Sequence, residues 1–258
     1  MKQTPAMVST VSTISSINFS AMQFVTRCVA MFAVWGFVAM PVKAERLPIG
    51  QPPAFWIDRT EVTIGQFEVF ATQNALQTKA ERTGTGYEYR FGWQPREDWN
   101  FRTPYGGPAT AQEPAVHVNW FEAEQYCQAQ GGRLPNRQQW IKAAYQETRT
   151  EPTKPFELGQ TYPYPTGVAA QNANVKGDQD GWPQHAPVAS FVAGVNGLYD
   201  IGANAWEWLA DAQGNDRLTA GGSWWYGPNK MQASGLQYKP ADFYAVYVGY
   251  RCVYDAAR

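Results

Sequence analysis

The residues of this 258-residue chain whose spacing suggests chemistry fall into a few groups. One group sits in GGSWWYGPNKM, residues 221–231, where a Gly-Gly turn precedes Ser223, three aromatics and Met231. A serine needs an adjacent base to become a nucleophile, and one methionine thioether is a soft but weak ligand for cuprous ion. A second group lies in NANVKGDQDGW (172–182) and DIGANAWE (200–207). Their carboxylates, amides and glycine-bearing backbone suit calcium, which takes roughly six to eight hard oxygens from flexible loops. The rest are His117, His185, Cys127 and Cys252. His117, inside the alternating stretch AVHVN, reads as a core or edge histidine; His185, in a turn, is expected to be exposed. Two histidines are too few for a histidine-clustered iron centre. A Ser–His–Asp triad can be drawn from Ser223, His185 and several aspartates, but no motif joins them.

The elements that must position these groups read as α+β. Residues 55–62 predict a strand with Phe55 and Ile57 on one face, and Thr63 caps a helix through about Leu76. Residues 77–112, polar, aromatic and punctuated by Gly and Pro, predict loops with short strands, and 115–119 a further strand. Asn119 with Glu122 forms a capping box for a helix that carries Tyr126 and Cys127 inward and stops at Gly131-Gly132. Asn136 caps the next helix, burying Trp140, Ala143 and Ala144. Beyond Thr148 helix signals disappear.

Residues 1–44 contain Lys2, Arg27 and Lys43 but no acid, and 28–42 is apolar and too short for a comfortable membrane span. Val42-Lys43-Ala44 then offers small residues at the positions a signal peptidase reads. The segment predicts a signal peptide, with Met1 or Met22 as start, leaving a periplasmic chain without a membrane span. Its removal takes away three basic and no acidic residues, leaving 18 basic and 22 acidic, with no basic stripe for nucleic acid. After cleavage Cys127 and Cys252 are a lone pair: in an oxidising compartment, a disulfide closing a long loop, or two buried thiols.

Six segments, FWIDRTEVTIGQFEVF, PAVHVNWFEAEQYC, GGRLPNRQQWIKAAY, NGLYDIGANAWEW, GGSWW and GYRC, resemble in order and spacing the sulfatase-modifying, formylglycine-generating enzyme family. The resemblance implies one domain with a C-type-lectin-like fold over 55–258, with 45–54 an extension, and implies a disulfide between Cys127 and Cys252. The family's oxidases use two cysteines five positions apart after the Gly-Gly-Ser turn to bind copper; Tyr226 and Met231 occupy those positions here, so copper chemistry is not expected. Trp206 and Ser223 match residues of the family's oxygen pocket, and an oxidase of another kind would draw on Trp206, Ser223, Tyr226 and Glu207 around one cleft. Trp224, Trp225, Tyr226, Met231 and Tyr247 are the expected binding groove.

The family's first calcium position corresponds to Asn174, Val175, Asp180 and Trp182, and its second to Asp200, Ala203, Ala205 and Glu207. The resemblance therefore implies one or two structural calcium ions. The family has two exported branches that bear on this chain, of which the siderophore branch resembles it in lacking the cysteine pair. One regulates a secretion-system kinase pathway through periplasmic or outer-membrane protein partners. The other is an oxidoreductase that matures a siderophore chromophore of the pyoverdine type, a small aromatic ligand. The expected role is binding or regulation, with the oxidoreductase as alternative.

Overall fold

Side-chain caps start every α-helix among the described residues. In the computed structural model, which describes residues 44–177 and 180–256, Thr63 opens α1 (Ile64–Gln73) and Thr78 opens α2 (Lys79–Thr83). Asn119 opens α3 (Trp120–Ala129) and Asn136 opens α4 (Arg137–Tyr145). Each cap accepts from the N–H three residues on, and the Gln or Glu there bonds back to the cap. This reciprocal box satisfies donors that a helix start leaves bare. The spacing of Ile64, Phe67, Phe70 and Ala71 turns one face of α1 inward.

Among the described residues the strands form three small sheets. β1 (Arg46–Ile49) pairs antiparallel with β2 (Phe55–Asp58), which pairs with β9 (Val253–Tyr254). β3 (Thr85–Tyr89) and β4 (Trp93–Glu97) make a hairpin. The largest sheet has the order β7 (Gln237–Pro240), β6 (Asp216–Ala220), β5 (Trp206–Gln213), β8 (Val248–Gly249), with β5 and β8 parallel. Residues 45–54, expected as an extension, thus supply the edge strand β1, with Ile49 fully buried. The expected strand at 115–119 does not form. His117 sits at φ 57°, which reverses the chain, and Ala115 and His117 make single bonds to the Val62 and Ala245 carbonyls instead of a ladder.

Two cores result. Around Phe67, tilted and edge-to-face rings pass from Phe101 (4.8 Å) through Tyr126 (5.9 Å) to Tyr250 (5.6 Å from Tyr126). The other gathers Ile57, Trp140, Leu209 and Leu218. The Cys127–Cys252 disulfide, Cα–Cα 5.5 Å, ties α3 to the segment entering β9. Chain-entropy models give such a closure about 4–5 kcal/mol. Gly132 is required beside it: a Cβ there would lie 2.5 Å from the Val253 carbonyl oxygen and from the Tyr254 ring. The described residues form one mixed helix-and-strand domain, and none of their helices is long and apolar enough to cross a membrane. The expected signal peptide, apart from Ala44, lies outside the described residues.

Candidate functional site

The 221–231 loop is fixed by its backbone. Gly221 and Gly222 adopt φ 96° and 77°, where a side chain is strained, and a Cβ on Gly222 would meet Lys230 at 2.9 Å. The Gly221 carbonyl accepts from Ala203 N–H (2.8 Å), and Trp224 N–H donates to Asn204 (3.1 Å). Lys176 N–H donates to the Tyr226 carbonyl (3.0 Å), and the Tyr145 hydroxyl to the Met231 carbonyl (2.7 Å).

Tyr247 organises the rings of this loop. Its ring centroid lies 5.4 Å from Trp224, 6.0 Å from Trp225 and 6.4 Å from both Tyr226 and Trp93. Its own hydroxyl accepts from Tyr89 N–H at 2.7 Å, and burial pushes its pKa up to about 12. Tyr247 is 1% and Met231 0% exposed, so neither is a groove wall: Tyr247 is packed beneath the indoles, and Met231 is core. Trp225 and Tyr226 are half-buried, and the Lys176 ammonium lies 5.3 Å over the Trp225 ring.

The four candidate catalytic residues do not share one cleft. Successive residues of a strand point to opposite faces. Trp206 packs edge-on to Tyr226 at 5.4 Å, with Ser223 buried in the same loop. Trp206 Nε1 is buried without a hydrogen-bond partner; the Tyr226 hydroxyl is near enough to interact with it, though outside bonding geometry. Burial, chiefly, raises the Tyr226 pKa. Glu207 faces the other way. Its Oε2 accepts from Trp140 Nε1 at 2.7 Å, and its Oε1 accepts from Arg251 Nε (2.8 Å) and Nη2 (2.7 Å), all fully buried.

The sequence reading missed three parts of this polar face. Glu61 accepts from Ala205 N–H (2.9 Å) and Asn204 Nδ2 (2.7 Å). Asn204, at φ 48°, also holds Asn174 and Ala186 through its Oδ1 (3.1 and 2.8 Å). Arg251 further donates to the carbonyls of Asp58, Arg59 and Tyr199. An asparagine after Gly-Ala in a turn was the available signal for a left-handed hub. Glu61, Asp200 and Glu207 share this one guanidinium. Burial, then neighbouring carboxylates, pushes Glu61 well up, and burial, eased by the Ala189 N–H and Arg251, leaves Asp200 at about 6.

The first expected calcium set converges locally. Asp180 accepts from Val175 N–H (3.2 Å) and Trp182 N–H (2.9 Å). Asn174 is 1% exposed; its amide nitrogen donates to Gln184 and Asn204, and its Oδ1 is buried without a partner. In the second set Asp200 Oδ2 accepts from Ala189 N–H at 2.8 Å, and Ala203 is turned to φ 91°. Among the described residues no three His, Cys, Asp or Glu side chains converge on a metal point, so a cation here would rely on amides and carbonyls.

His185 is not exposed. Its Nε2 lies 2.7 Å from Glu113 and its Nδ1 3.0 Å from the Tyr105 hydroxyl, so neither nitrogen serves Ser223. Burial lowers its pKa against the pull of Glu113. His117 is a core residue, bonded to the Pro104 carbonyl at 3.0 Å and held at about 3 by burial. Both described cysteines are in the disulfide.

The profile of the family described as "Sulfatase-modifying factor enzyme 1-like domain" matches residues 40–256. The chain is 31% identical over 204 residues to "Inactive C-alpha-formylglycine-generating enzyme 2" of Mus musculus, covering 66% of this chain and 63% of that protein. It is 27% identical over 248 residues to "Formylglycine-generating enzyme" of Bos taurus, covering 78% of this chain and 66% of that protein. The chain thus spans about two-thirds of these relatives. Among solved structures, PvdO from Pseudomonas aeruginosa superposes with a TM-score of 0.57 over 83% of this chain and 92% of that one, at 17% identity, a likeness of fold.

Proposed function

Since the chain belongs to the sulfatase-modifying factor enzyme 1-like family, we propose that it is an exported, calcium-stabilised member that binds a partner and has no copper–cysteine oxidase chemistry. One observation carries this reading: at the two loop positions where the family's oxidases place thiolates stand a half-buried Tyr226 and a fully buried Met231, while the two described cysteines are locked together. A thiolate serves such chemistry as both ligand and nucleophile, and neither residue can replace it. What the loop retains is a rigid aromatic surface, Trp225 and Tyr226 braced on the buried Trp224 and Tyr247, suited to a periplasmic or outer-membrane protein segment or a small aromatic, siderophore-like ligand.

Asn174, Val175, Asp180 and Trp182 would hold one calcium ion; the buried, unpartnered Asn174 Oδ1 supports that assignment. Asp200, Ala203, Ala205 and Glu207 would hold a second, supported by the carboxylates of buried Glu61 and Glu207 and half-buried Asp200 lying near one guanidinium. Bound calcium would supply positive charge there and tie loop to turn.

The second reading, an oxidoreductase of siderophore chromophore maturation, is favoured by the unpartnered Trp206 Nε1 beside the Tyr226 hydroxyl. Oxygen uptake with a catechol or siderophore-like phenol separates the two. The binding reading expects no uptake, with saturable tryptophan quenching by the same compound that Trp225→Ala weakens. Uptake abolished by Tyr226→Phe in a folded protein would establish the oxidoreductase instead.

A further inference from the structure

A cleft of about 560 Å³ opens among α2, the β3–β4 hairpin, β7 and the turn after it, lined by Lys79, Tyr87, Trp93, Lys239, Phe243 and Tyr244 among others. It shares no lining residue with the 221–231 loop. Its size lies in the range of small-molecule sites. Two edge-to-face pairs build the walls, Trp93 on Phe243 at 4.8 Å and Tyr87 on Tyr244 at 5.5 Å. Trp93 remains 45% exposed and Tyr238, also in the lining, 42%.

The charges of this cleft do not balance. Lys79 is neutralised by Asp242, 2.7 Å away. Lys239 has only an amide oxygen, Gln237 Oε1 at 3.2 Å, and among the described residues no carboxylate lies within ion-pair distance of it. Its ammonium stands 5.1 Å over the Trp206 ring and 5.9 Å over Phe243. Its antiparallel partner is Arg217, another cation with no carboxylate in that range among the described residues. Like charges directly opposite on neighbouring strands are destabilising, and a partly desolvated charge without a counter-ion costs free energy. Burial first, and Lys230 second, bring the Lys239 pKa down to about 8. An ammonium so placed is matched by an anion arriving from outside, and the aromatic walls select a flat apolar body for it.

We propose that this cleft binds a planar aromatic anion, its ring against Trp93 and Phe243 and its anionic group on Lys239. The inference rests on the reading of the domain as a binding scaffold but assigns a cleft distinct from the 221–231 loop.

The test titrates the mature protein at neutral pH with 2-naphthoate and its neutral analogue 2-naphthamide, read by tryptophan fluorescence and calorimetry. Naphthoate binds more tightly by about tenfold or more, the worth of a hydrogen bond to a charged group. Lys239→Met removes that preference, and Lys239→Arg restores it. Phe243→Ala weakens both ligands. Melting curves confirm that each variant is folded. Equal binding of the two ligands, a preference that survives Lys239→Met, or no saturable binding of either overturns the inference. Loss of naphthoate binding in Trp225→Ala with retention in Lys239→Met places the ligand on the loop, which sinks this inference and leaves the binding reading standing.

Discussion

Adjacent residues of β5 serve two different environments. Trp206 faces a half-open aromatic assembly, with Tyr226 at 5.4 Å and the Lys239 ammonium at 5.1 Å. Glu207 faces a buried network of Arg251, Trp140, Glu61 and Asn204, whose side chains bond one another and the backbone. The first face has surface and charge left over for something else to meet; the second has spent its hydrogen bonds on itself. The contrast separates binding from stability at residue resolution, and substitutions on the two sides should therefore fail differently.

The largest effect is expected on the polar face. Glu207→Gln leaves the Arg251 guanidinium buried without its counter-charge, and breaking such a pair by removing one partner costs about 3–5 kcal/mol. Urea unfolding should register that loss with or without a chelator, because the ion pair exists independently of any metal. Glu207→Gln is therefore a poor probe of calcium. Reducing the Cys127–Cys252 bridge comes next: disulfides typically contribute about 2–4 kcal/mol, below the chain-entropy figure for so long a loop, read as a lower denaturant midpoint under reductant that the Cys127→Ala/Cys252→Ala double variant reproduces.

Calcium removal is the next step down. A ligand that binds only the native state stabilises it by about 3 kcal/mol at a hundredfold excess over its dissociation constant. Chelation should lower the melting temperature accordingly, and Asp180→Asn should remove the first ion's share of that response. A wild-type melting curve indifferent to chelator, with no calcium in the purified protein, would break this part of the account.

Acidity gives a smaller, signed effect. Burial raises Asp58 to about 6, against hydrogen bonds from Cys252 and Tyr254 and the charges of Arg251 and Arg46. A folded-state pKa above the usual value of about 4 means the native state holds the proton more tightly, so the Asp58 contribution is full below about pH 4 and fades as pH rises through 6. Asp58→Asn should flatten stability over that window; an unchanged slope would refute the shift. The smallest effect on stability belongs to the aromatic face: Trp225→Ala, half-exposed, should change unfolding free energy by roughly 1 kcal/mol or less while weakening ligand binding.

What the sequence made legible follows the same division. Caps and periodicity announce themselves locally, so Thr63, Asn119 and Asn136 could be read as helix starts and Cys127 and Cys252 as a pair. Long-range partners leave no local mark. Glu61 lies 146 residues from Glu207 in the chain numbering, and only the fold brings both under the influence of Arg251. The alternation of AVHVN suggests a strand, but His117 at φ 57° reverses the chain there. His185 looked like a surface turn residue because Tyr105 and Glu113, its partners, are 80 and 72 residues away. Met231 and Tyr247 looked like groove walls because residue type alone does not tell an exposed ring or thioether from a buried one.

The central claim is that the loop keeps its shape without thiol chemistry. The most direct measurement incubates the protein, with and without copper, with a sulfatase-type cysteine peptide and follows the peptide by mass spectrometry. The account predicts an unmodified cysteine in both conditions; appearance of the formylglycine aldehyde, dependent on the protein, would contradict it.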